Sequence, residues 1–220
     1  MSAIGIINAA LGRNTWPPPA VSRRWEEIEL FAALRDSDDE RLRLEASVSW
    51  NAPYVLNPLA RLISRASANL LFGEPPTFTP GAEADAEPLE ALVTANDLDS
   101  ELIRAAMISS SEGEVWGRIL VQPGLLDWPI IEWTSGANVI PHFHGRFITG
   151  ATFVSQWKTG AREVHRLLEH YEAGRNWCQL FRGTTTSIGH EIPLENFEQT
   201  ETLHPETFTK SRVLPNRLAA

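Results

Sequence analysis

The grammar of this chain changes at about residue 114, and that change limits its fold more than any other feature. Before it, segments carry apolar residues at three- and four-residue intervals and end in glycine or proline, the pattern of amphipathic helices. After it come "EVWGRILVQ", "PIIEW", "NVIPHF", "RFITGATFVSQWK", "EVHRLLEHYE", "NWCQLFRG" and "SIGHEIPL". These runs are short, rich in β-branched and aromatic residues, and punctuated by turn formers, so they predict strands joined by hairpins. Helices first and strands afterwards predict an α+β fold with a mostly antiparallel sheet, because parallel pairing requires a crossover between successive strands.

In the helical part, "SRRWEEIELFAALRDS" offers Ser22 as a cap and places Trp25, Ile28, Phe31, Ala32 and Leu34 at helical intervals. This predicts a helix over 23–35. Three consecutive prolines in "RNTWPPPA" favour extended backbone, so residues 1–21 are expected to be an arm. "DSDDERLRLEASVSWN" predicts a loop leading into a short helix or strand. In "NPLARLISRASANLLFGEPP", Asn57 suits a cap and Pro58 the first helical position. Leu59, Leu62, Ile63, Ala66 and Leu70 then make one apolar stripe, and Gly73, Pro75 and Pro76 stop the helix. Residues 83–101 hold seven acidic and no basic side chains, read as a solvated face around a short helix in "EPLEALVTAN" whose buried edge is Leu89, Leu92 and Val93. "DSELIRAAMISSSEG" predicts a further helix, capped by Asp99 or Ser100, packed through Leu102, Ile103, Ala106 and Met107 and ended by Gly113.

A chain of 220 residues buries a real core without staples. Its formal charge of -9 argues against tight non-specific binding to nucleic acid, which is assembled from clustered Lys and Arg. The single cysteine, Cys178, makes no internal disulfide and offers no metal-ligand spacing. The start "MSAIGIINAALGR" has no preceding positive charge and is too short to span a bilayer, so neither a signal peptide nor an anchor is expected, and the protein reads as soluble.

In "LLEHYEAGRNWCQLF" two strands flank "EAGR", where Gly174 suits a tight turn requiring positive φ. Leu168, His170 and Glu172 fall on one face and Glu169 and Tyr171 on the other, with no catalytic grouping evident. His142 and His144, two apart, would share a strand face as two metal ligands do, with His165, His170, Glu169 or Glu172 as further ligands. No HExxH, paired CxxC or calcium-loop pattern supports them, and hydrogen-bonded or exposed histidines are the expectation. Cys178 lacks any sign of a helix N-terminus or cationic neighbour, so it reads as a buried inert thiol. The GxSxG, GxxxxGK[ST] and GxGxxG patterns are absent. Paired carboxylates for glycoside hydrolysis stay open, since only their separation in space decides. Of the eight Trp residues most read as core, with Trp128 and Trp133 beside Pro129 as candidates for the edge of an assembly surface.

The joint order of "NPLARLISRASANLLFGEPPTFT", "SSSEGEVWGRILVQPGLLDWPIIEWTSGANVIPHFHGRFITGATFVSQW" and "LLEHYEAGRNWCQLFRGTTTSIGHEIPL" resembles the N-terminal half of portal proteins of tailed bacteriophages, particularly long-tailed phages of actinobacteria. The resemblance spans roughly residues 20–217. It implies a non-enzymatic subunit of the head-tail connector: a ring, typically of twelve copies, at one capsid vertex of the virion, assembled in the host cytoplasm. DNA passes through the ring during packaging and genome ejection. The implied partners are further copies of itself, the terminase large subunit, the major capsid or scaffold protein and a head-tail adaptor, with no catalytic, cofactor or metal residues. Residues 22–220 match the wing region, and the stem, clip and crown of the family are not found, which puts ring formation and packaging by this chain in doubt. Two other readings are kept: a small hydrolase with a His/carboxylate site on the sheet, and a repurposed portal fragment that interferes with phage assembly.

Overall fold

The computed structural model describes residues 12–45, 57–81, 86–120, 128–201, 203 and 206–207. The chain is α+β, with helices followed by antiparallel strands, as the change in sequence grammar predicts. Two compact units are present: Met1–Glu26 with Ala137–Ala220, and Glu27–Gly136. Helix α1 (Pro19–Asp36) contributes residues to both.

The second unit, Glu27–Gly136, holds the later turns of α1, then α2 (Asp39–Glu45), α3 (Leu59–Phe72), α4 (Glu87–Ala95) and α5 (Leu98–Glu112), and a hairpin of β1 (Val115–Leu120) and β2 (Ile130–Ser135). The region after Asp36, expected as a loop into a short element, is a helix over Asp39–Glu45, and residues 46–56 lie outside the described ones. The Asn57 side chain accepts the Leu59 amide at 3.1 Å, but the helix starts one residue later than expected, with Pro58 at the N-cap instead of the first helical position. Asp97 precedes α5 with φ 44°, and Gly113 ends it at φ 80°. Helix α3 packs on α5 through Ser64 and Ala68, its two buried residues. At the end of α5 the buried Glu112 accepts from Arg35 and from the Ser135 hydroxyl, joining α1, α5 and β2 of this unit.

The first unit is a sheet closed on both faces. Strands β3 (Val139–His144), β4 (Phe147–Lys158), β5 (Val164–Glu172), β6 (Arg175–Gly183) and β7 (His190–Ile192) lie side by side in chain order, and β8 (Glu206–Thr207) pairs with β6. Gly174, at φ 80°, makes the β5–β6 turn. Register fixes which residues share a face. Thr152 opposes His170 and Val154 opposes Leu168, and His170 and Leu168 oppose Trp177 and Gln179 on β6. That face buries Ile140, Val154, Leu168 and Phe181 against Trp16, Val21, Trp25 and Ile188. Each such large apolar side chain contributes about 1.5–3 kcal/mol relative to exposure. The opposite face buries Leu167 and Leu180 under Leu194, with Trp157, Cys178, Ile192, Phe197 and Leu203 around them.

Where the sequence predicts an extended arm over 1–21, residues 14–21 instead seal the sheet. The Trp16 amide donates to Thr186 O at 2.8 Å, and the Ser187 hydroxyl and Gly189 amide donate to the Asn14 side chain. The helix begins at Pro19 rather than near residue 23, because a proline ring already holds the φ a first turn needs and its missing donor is not required there. Arg166 of β5 is 1 % exposed. It donates to Gln156 Oε1 and to the backbone oxygens of Ser187 and Thr184.

Candidate functional site

One row of polar side chains crosses the buried face of the sheet. His142 Nε2 lies 2.7 Å from Thr152 Oγ1, which lies 2.8 Å from His170 Nδ1. His170 Nε2 is 3.2 Å from Gln179 Oε1, and Gln179 Nε2 is 3.2 Å from Glu191 Oε2. Five successive strands, β3 to β7, supply one group each. His142, Thr152 and His170 are all at most 2 % exposed, whereas Glu191 at the far end reaches water. His170 also stacks on Trp177 with ring centroids 4.6 Å apart, and the Arg175 guanidinium lies over Trp177, 4.5 Å from its ring centroid.

The inventory of donors fixes the direction of this row. An ionised Glu191 only accepts, so the Gln179 amide donates to it and Gln179 Oε1 is left to accept from His170. A neutral His170 protonated at Nε2 carries a lone pair at Nδ1, which takes the Thr152 hydroxyl proton. Thr152 then accepts from His142 Nε2, and neutral His142 is left with a bare Nδ1. That atom is buried without a hydrogen bond, 3.3 Å from the Glu172 carboxylate, another acceptor. Two lone-pair carriers therefore face each other, and an added proton has its place between them.

Glycine makes that meeting geometrically feasible. In register, His142 opposes Gly150 and Gly150 opposes Glu172, so the two side chains flank a residue with none. A Cβ at Gly150 would stand 2.3 Å from Tyr171 O, 3.1 Å from His142 Nδ1 and 3.2 Å from Glu172 Cγ. Burial holds the His142 pKa below its ordinary value, with Glu172 pulling the other way. Burial, helped by the charge His142 carries once protonated and by Arg175, lowers His170 to about 4 against the bond to Gln179. Both rings are neutral at pH 7, which is the state the row requires.

A hydroxyl bonded to an imidazole is the arrangement that activates a nucleophile. Here Thr152 is 0 % exposed, so a substrate has no approach to its oxygen and the bond ties strands together.

The other sequence candidates lie elsewhere. His144, expected beside His142, sits at the exposed end of β3 beyond a break in register after His142, and only His142 enters the row. His165 is on the opposite face, stacked 4.4 Å from Phe197 and hydrogen-bonded by Thr159. Glu169 also lies there, opposite Cys178. Burial, and secondarily Glu169, pushes the Cys178 thiol up to about 11, away from the thiolate a nucleophile needs. Among the described residues no group of three or more His, Cys, Asp or Glu is placed to hold a metal ion. Sequence reading missed Thr152, Gln179 and Glu191, whose only local signal is Gly150.

A second feature belongs to helix α3. The apolar stripe that the sequence sets up for burial faces water: Leu59, Leu62, Ile63, Leu70 and Leu71 are 53, 58, 57, 88 and 69 % exposed. The helix turns its small residues inward because Ser64 and Ala68 let it approach α5 closely. Among the described residues no helix is long and apolar enough to cross a membrane. Compared with known protein families and with curated proteins, the chain matches none.

Proposed function

We propose that this protein is a structural subunit of a phage portal assembly, in which its two units form the wing of a ring at the capsid vertex. The observation that carries the reading is the apolar stripe of α3, whose large side chains are each more than half exposed, because clustered exposed apolar side chains mark interaction surfaces. The segment that builds it, "NPLARLISRASANLLFGEPP", is also among those that carry the resemblance to portal proteins. The buried His142, Thr152 and His170 favour the same reading over a hydrolase, since they bond to one another out of reach of a substrate. A net charge of -9 suits a ring component past which DNA slides, as the sequence carries no run of Lys and Arg that would grip phosphates. In this role the terminase large subunit, the capsid or scaffold protein and a head-tail adaptor are its partners.

Native mass spectrometry and negative-stain microscopy of the purified chain test the reading, together with coexpression beside a full-length phage portal. Closed oligomers, or incorporation into portal rings, are expected. A chain that stays monomeric at high concentration and never enters such rings would overturn the proposal.

A further inference from the structure

We propose that the bare face of α3 is one half of a head-to-tail contact, and that the acidic surface of α4 and the start of α5 on a second copy of this chain is the other half. The inference rests on the assembly reading only in taking the partner to be another copy.

Charge selects the occupant. Helix α3 carries Arg61 and Arg65, both exposed, and no carboxylate. Arg65 lies one turn from Leu62 and borders the apolar stripe, while Arg61, one turn before it, lies toward the side of Ser64 and Ala68. Arg61 acts on Asp36 within its own unit, while Arg65 forms no ion pair with a described residue. Across residues 83–101 there are only acidic charges, and the exposed Glu90, Asp97 and Asp99 form no ion pair with a described residue either. One unit thus presents an apolar surface bordered by Arg65, with Arg61 on the same flank of the helix, and, separately, an acidic surface.

Burial points the same way. Helix α4 has no buried residue, and Leu89, Leu92 and Val93 are covered only in part. It offers an apolar edge within its acidic surround, matched in character to the stripe of α3. The rival contact, α3 against α3 of a second copy, would set Arg61 and Arg65 against the same arginines with no carboxylate on either helix, and like charges across an interface oppose it. Two different patches that fit one another make a heterologous interface, which closes into a ring when the rotation between copies permits.

Light scattering after size exclusion, with native mass spectrometry of the full chain, tests this through charge reversal. R61E/R65E and E90K/D99K should each weaken self-association at least tenfold. An equimolar mixture of the two should restore it, with the variants alternating, because each acidic α3 then meets a basic α4. The fourfold variant should assemble as the wild type does. If circular dichroism shows that either reversal perturbs folding, R61Q/R65Q and E90Q/D99N replace them, with a smaller weakening expected from each. Wild-type oligomers that withstand both reversals would place the contact elsewhere and overturn this inference while leaving the assembly reading intact. Loss by each variant without recovery in the mixture would likewise overturn the pairing of these faces. A wild-type chain that is monomeric at all concentrations would overturn both.

Discussion

The Arg166 guanidinium lies 4.7 Å from the centroid of the Trp16 ring, so a cation from the middle of the sheet covers an aromatic group from the N-terminal segment. The same guanidinium holds two backbone oxygens of the 184–187 loop, to which the Trp16 amide is also bonded. Burial lowers its pKa to about 10, which still leaves it charged at neutral pH.

Replacing Arg166 by Met should destabilise the protein by on the order of 3 kcal/mol, because buried carbonyls lose their donor. Arg166→Lys should recover little, since one ammonium cannot reproduce a planar fork that bonds several acceptors while stacking on an indole. Urea denaturation followed by Trp fluorescence measures both.

Acid should weaken the fold through the histidine row. His170 titrates near 6.5 when unfolded and at about 4 when folded, so between these values the unfolded chain binds a proton that the folded chain refuses. Its contribution is intact above pH 6.5 and falls progressively as the pH drops toward 4, by on the order of 3 kcal/mol in total. The lowered pKa of His142 acts in the same direction. Denaturation curves at pH 7.5, 6 and 4.5 should show this loss, and His170→Gln should remove a large part of it. An imidazole resonance of His170 that titrates near 6.5 in the folded protein would refute the account.

Gly150→Ala should cost about 1–3 kcal/mol, the range for forcing atoms into a packed interior. The added methyl meets the backbone oxygen of Tyr171 before it meets either side chain. Shortening Glu172 to Ala in the same chain should therefore fail to restore stability, as judged by thermal denaturation.

In the other unit, Glu112→Ala should destabilise by about 3–5 kcal/mol, since it leaves a guanidinium of low exposure without a partner that sits deeper than Asp36. Glu112→Gln should cost much less. Its amide oxygen still accepts from Arg35, and its nitrogen still reaches the Ser135 hydroxyl.

The order of elements was legible from local signals: a helical period in "LARLISRASANLLF" and, after residue 114, short runs rich in β-branched and aromatic residues between turn formers, whereas "VHRLLEHYE", buried on both faces, carries no two-residue period of its own. The turn at Gly174 was legible for the same reason. Amphipathicity tells which side of α3 is apolar but not which side finds a neighbour, so the stripe was expected inside. The small residues Ser64 and Ala68, which decide the packing, carry little hydrophobic signal. The row from His142 to Glu191 joins residues up to 49 positions apart through strand register, which spacing in the chain does not encode. That residues 14–21 pack was hidden by their prolines, which read as extended backbone whether or not a sheet lies beneath.

The unit that contains the sheet is assembled from two stretches of chain, with Glu27–Gly136 synthesised between them. Trp16, Val21 and Trp25 therefore leave the ribosome before any strand they cover exists, and at about 5–20 residues per second they wait on the order of ten seconds for it. The intervening unit is contiguous and can be complete by then. During translation, these two indoles stay uncovered until the strands they pack on have been made.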